Sequence, residues 1–166
     1  MKITHSLIPI WTLVASLLPS LPGQEKELIN ALIQVNAKGQ GNENAVRAWP
    51  LVEKLDASSI PKLLESMNQA NDLGDNWIRS AISEILDREK SNFPTKKILA
   101  YLKDDQNTGS SRKLAYELVS EHRPKLADSL PSRFIDDREP TLRRLAVQKL
   151  LESARSSQKP EQAQAL

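Results

Sequence analysis

Four arginines divide this chain into units of nearly equal length. Arg47, Arg79, Arg112 and Arg143 are spaced 32, 33 and 31 residues apart, and the segments they open read RAWPLVEKL, RSAISEIL, RKLAYELV and RRLAVQKLL. A repeat of this size is one supersecondary unit that cannot bury its own apolar face. Neighbouring units must therefore stack over a shared core.

The last three segments align almost residue for residue. Ala81, Leu114 and Leu145 correspond, as do Ile82, Ala115 and Ala146, then Ile85, Leu118 and Lys149, then Leu86, Val119 and Leu150. Lys149 alone breaks the apolar rule. In the segment 77–86 the apolar positions 77, 78, 81, 82, 85 and 86 form one stripe with a period near 3.6, so each segment is a helix with one buried face. A partner helix precedes each one, marked by Leu63 and Met67, Ile98 and Leu102, and Leu126 and Leu130. Aromatic residues at 4% and five glycines argue against a β-sandwich or barrel, and the fold class is all-α.

Prolines punctuate the pattern. Pro61, Pro94, Pro124 and Pro140 stand where helices should begin, whereas Pro50 and Pro131 fall inside expected helices and predict a bend at each. The first repeat is degenerate after Pro50, as terminal repeats often are. Ahead of it, residues 26–35 predict one more amphipathic helix, and 38–44 read as a Gly/Asn linker loop. The repeat domain is expected over 24–153, followed by a polar, frayed tail over 154–166.

The first 23 residues have a different character. Lys2 and His5 precede an apolar run from Leu7 to Leu18, and Pro19, Ser20, Leu21, Pro22 and Gly23 follow, in the order of a secretory signal peptide. The run holds Pro9 and falls short of the roughly 20 residues needed to cross a bilayer. Cleavage is expected after Gly23, with Ser20 as the competing site, and a buried N-terminal helix is the alternative. The expected address is the periplasm or the extracellular space, with no transmembrane helix left after cleavage.

Asp72, Asp105 and Asp136 each stand seven residues before Arg79, Arg112 and Arg143, and Gln40 takes that place before Arg47. An aspartate between two helices, then an arginine in the second helix, then small and apolar positions, resembles the HEAT repeat over about residues 42–152. The period is shorter than the roughly 40 to 47 residues of long HEAT repeats, and is more similar to the compact HEAT-like class. The stretch NDLGDNWIRSAISEIL and the two segments after it resemble the repeat region near the start of larger exported bacterial HEAT-repeat proteins. The resemblance implies a right-handed α-solenoid of about four helix pairs. In it the aspartates would cap helix starts and the arginines would bridge to a neighbouring repeat's loop. Trp49 and Trp77 lie on apolar stripes and read as core anchors.

Catalytic and cofactor chemistry finds little footing. With no cysteine and a single histidine, His122, after residue 23, neither a metal cluster nor a Ser, His and Asp triad is expected. Gly39 and Gly41 begin a G-x-G pattern, yet Asn44 occupies the third glycine's position, so no dinucleotide loop is supported. The paired acids Asp104 with Asp105 and Asp136 with Asp137 read as solvated helix ends. Removing residues 1–23 leaves 22 basic against 21 acidic residues, too even a balance for a phosphate-tracking surface. No cofactor, metal or nucleic acid is expected, and the chain is expected to be a monomer.

What remains is surface. Ser80, Lys113 and Arg144 align opposite the apolar stripe, and Ser83, Tyr116 and Val147 align one turn later. Ser80, Ser83, Lys113, Tyr116, Glu117 and Arg144, with Tyr116 as anchor, are the candidate contacts for an unidentified protein partner. Two alternatives stay open: a HEAT-like enzyme of the DNA glycosylase or bilin lyase type, and a fragment of a larger exported multidomain protein.

Overall fold

In the computed structural model, which describes residues 22–158, every regular element is helical. The chain runs α1 (Pro22–Ile33), α2 (Asn42–Ala48), α3 (Ile60–Ser66), α4 (Asp72–Arg88), α5 (Thr95–Lys103), α6 (Gly109–His122), α7 (Pro124–Ala127) and α8 (Pro140–Gln158), with short 3₁₀ turns between them. The four arginine segments fall on α2 with the turn Trp49–Lys54, and on α4, α6 and α8. The partner helices fall on α3, α5 and α7.

Packing follows chain order. The first helix of each pair touches the next across α1, α3 and α5, and among the second helices the turn Trp49–Lys54 touches α4 while α6 touches α8. Two diagonal contacts, α1 with α4 and α3 with α6, lock consecutive pairs together. Leu28, Ile60, Leu64, Ile78, Ile85 and Ile98 are fully buried in the resulting continuous core. Trp49 and Trp77 are half-buried and meet edge to face at 5.3 Å, joining the first two pairs as aromatic core contacts.

Local chemistry explains the joints. Asn71 caps α4 by accepting from the Leu73 and Gly74 N–H groups at 2.9 and 3.1 Å, and its amide donates to the Val35 carbonyl at 2.8 Å. The cap therefore also ties α4 to the chain just after α1. Gly74 permits this approach, because a Cβ there would lie 3.0 Å from the Leu32 carbonyl oxygen. At the far end of α4, Arg88 donates to the Val52 and Leu55 carbonyls, and the Glu89 carboxylate accepts from the Ala57 N–H at 3.0 Å.

Between the second and third pairs a polar cluster does the same work. The Tyr101 hydroxyl donates to the Leu64 carbonyl at 2.9 Å and lies 2.8 Å from the Ser111 hydroxyl. Asn68 donates to Asn107 and accepts from the Thr108 N–H, both at 2.9 Å. Burial is the main cause that pushes the Tyr101 hydroxyl above its ordinary pKa.

Several sequence expectations change. Pro50 and Pro131 stop helices rather than bending them: α2 ends at Ala48 and α7 at Ala127, and each proline sits at the start of a 3₁₀ turn, where its missing N–H is harmless. Residues 38–44 are no open linker, since a 3₁₀ turn spans Ala37–Gly39 and α2 already begins at Asn42. Gly41, with φ of 80°, makes that compact path possible. The first helix begins at Pro22, four residues before its expected start, and the expected cleavage after Gly23 falls in its first turn. The rest of the expected signal segment, residues 1–21, lies outside the described residues. At the other end α8 stays helical through Gln158, into the stretch expected to fray, and residues 159–166 lie outside the description.

Candidate interaction surface

The second helices carry the aligned rows, and the structure separates their members. Ser80 and Ser83 are exposed on α4, and the Ser80 hydroxyl donates to its own helix at the Asn76 carbonyl. On α6, Glu117 accepts from Arg79 of α4 at 3.4 Å and from Lys113 one turn earlier. Glu117 thus joins the two helices over a crease of about 230 Å³ floored by Ile82, Leu86, Leu114 and Leu118. Arg144 is exposed on α8.

Tyr116 is not on this surface. It is only 5% exposed and meets Phe134 of the following pair edge to face at 6.1 Å, so the expected contact anchor is a core residue between pairs three and four. The alignment missed this because the 3₁₀ turn Pro131–Phe134, which replaces the expected helix, brings Phe134 over α6.

The repeat aspartates are also reassigned. Asp72 follows the true cap, Asn71, in the first turn of α4. Asp105 accepts from the neighbouring Gln106 side chain, and Asp136 is exposed. None of the three pairs with its arginine among the described residues. The acid that does is Asp137, which was expected to be solvated: it takes both guanidinium nitrogens of Arg112 at 2.9 and 2.6 Å, and Arg112 Nε donates to the Leu102 carbonyl at 2.9 Å. Burial opposes ionisation of Asp137, but hydrogen bonds from Arg112 and the Glu139 N–H, with the charges of Arg112 and Arg143, hold its carboxyl below the ordinary range. Arg143 bridges locally instead, to the Asp137 and Arg138 carbonyls at 2.6 and 2.9 Å.

The feature that alignment alone missed is the outer half of α8. Leu142 and Ala146 are fully buried, and every residue from Val147 through Ser157 is exposed. Val147, Leu150, Leu151 and Ala154 follow the i, i+3, i+4, i+7 spacing of a single helix face. Val147, Leu150 and Leu151 are 49%, 41% and 53% exposed, although Leu150 occupies the repeat position at which Leu86 and Val119 are buried. With Ile135, itself 42% exposed, Val147 and Leu151 line a trough of about 620 Å³.

The rim of that trough is basic. Arg143, Arg144 and Arg155 border it with a single acid, Glu152. Lys149 and Gln148 already donate to the Glu152 carboxylate, both at 3.1 Å, and the Lys149 bond and charge hold that carboxyl below its ordinary pKa. Neither Arg144 nor Arg155 forms an ion pair among the described residues.

Two further features complete the surface. An open groove of about 840 Å³ runs over α1, α3 and α5, where Glu25 pairs with Lys62 at 2.7 Å and Glu65, Lys97 and Asp104 alternate in sign. His122 stacks on Phe93 at 4.6 Å, and the Arg123 guanidinium lies 5.6 Å from the same ring, a packing arrangement at the end of α6. Among the described residues no group of three or more His, Asp or Glu is placed to hold a metal ion, and no helix is long and apolar enough to cross a membrane. Compared with known protein families, curated proteins and solved structures, the chain gives no match.

Proposed function

We propose that this chain is a right-handed α-solenoid of about four HEAT-like helix pairs that acts as a non-catalytic protein-interaction module outside the cytoplasm. The observation that carries the reading is the outer half of α8, where an apolar stripe at helical spacing stands in solvent. Exposed apolar patches of this kind mark contact surfaces far more often than scattered single residues do. The packing of each helix pair on the next supports the solenoid, because stacked units present a rigid wall and leave their ends and faces for partners. The signal-like order of residues 2–23 supports the address.

Crosslinking in the native host with an amine-reactive reagent tests both parts. Lys149 lies on the same two turns as the stripe and is 46% exposed, so crosslinked peptides from a partner should include it. Leu150→Glu with Leu151→Glu should abolish those crosslinks while the protein stays folded and is recovered from the envelope or the medium. Crosslinks unchanged by this pair of substitutions would remove α8 as the site, and a protein confined to the cytoplasm would remove the address.

A further inference from the structure

We infer that the α8 trough is built to receive an amphipathic helix whose polar flanks are acidic. This rests on the interaction-module reading and adds the chemistry of the partner. Val147 and Leu151, one turn apart on α8, line the trough, and the stripe they belong to has the i, i+3, i+4 and i+7 spacing at which one helix lays its apolar face along another. Ile135 closes one side of the trough, so that a guest helix would be seated in a groove rather than on a bare rod.

Charge selects among the possible occupants. Arg143, Arg144 and Arg155 border the trough, and the one acid among them is already taken up by Lys149 and Gln148. A second copy seated face to face would bring one positive rim onto another. Acidic flanks on a guest helix would instead meet Arg144 and Arg155, whose planar guanidinium groups are suited to carboxylates. Once the apolar stripe excludes water, such pairs decide which partner is accepted more than how tightly it is held.

The test uses the full chain without residues 1–23 and two labelled synthetic peptides. Both form the same leucine-striped helix, one flanked by glutamates and the other by lysines at the same positions. The acidic peptide should bind about tenfold more tightly at low salt, and the preference should shrink as salt is raised. Arg144→Glu with Arg155→Glu should reverse the preference without changing the melting temperature, because both side chains are exposed.

Leu151→Glu should remove binding of both peptides. Equal affinity for the two peptides in the unaltered protein would overturn the charge assignment while leaving the stripe a binding site. Binding of neither, in a monomer, would overturn the site as well. Sedimentation showing a dimer that Leu151→Glu dissolves would make a second copy the occupant, and binding seen only after removal of residues 159–166 would make that segment the occupant.

Discussion

Arg112 of α6 and Asp137, just ahead of α8, form a two-pronged ion pair in which the arginine is 2% exposed and the carboxylate 9%. Arg112 Nε is satisfied in turn by the Leu102 carbonyl at the end of α5. One side chain therefore joins both helices of the third pair to the connection between the two helices of the fourth.

Removing either partner strands a charge away from water. Asp137→Ala is expected to cost about 3–5 kcal/mol in urea unfolding, whereas replacing both residues, with Arg112→Met and Asp137→Leu, should recover much of the loss. Arg112→Lys should behave like the single deletions, because an ammonium group cannot reproduce the fork that binds two carboxylate oxygens and a carbonyl.

The same pair sets an acid limit. The folded-state pKa of Asp137 lies below its ordinary value of 3.8, so its stabilising effect is complete above that value and is lost as pH falls through the lower folded value. Unfolding free energy measured from neutral pH down to about pH 3 should fall more steeply for the natural protein than for Asp137→Ala. Equal slopes would mean that the pair is not formed in solution.

Tyr116 separates a core role from a contact role. Tyr116→Ala should destabilise the protein by roughly 3–5 kcal/mol through the space left against Phe134. Lys113→Glu, on a side chain that is 43% exposed, should cost no more than about 1 kcal/mol. Paired chemical denaturation curves check both, and a Tyr116→Ala protein of unchanged stability would return that ring to the surface.

Two glycines predict an order of damage. A Cβ at Gly41 would lie 2.6 Å from the Gln34 carbonyl oxygen, on a backbone with φ of 80°, so Gly41→Ala combines backbone strain with a clash against main chain. Gly74→Ala meets the Leu32 carbonyl at 3.0 Å but gains up to about 1 kcal/mol of helix propensity. Thermal melts should place Gly41→Ala well below Gly74→Ala.

The helical class, the alternation of partner and arginine-bearing helices, and most of the core were legible in sequence because burial repeats with helical period. Ala81, Ile82, Leu114 and Ala115 align and are all buried as that period requires. Periodicity reports which face of a helix is apolar, and it is silent on what covers that face. Tyr116 and Val147 share one repeat position, yet Phe134 covers the first while the second stands in solvent. Asp136 and Asp137 are neighbours of the same type, and only the path of the chain past α6 decides which one meets Arg112. Local pattern thus determined the elements and their greasy sides. Tertiary packing alone decided which acid is paired, which aromatic ring is buried and which apolar stripe stands in solvent, because those outcomes depend on contacts between residues far apart in the chain.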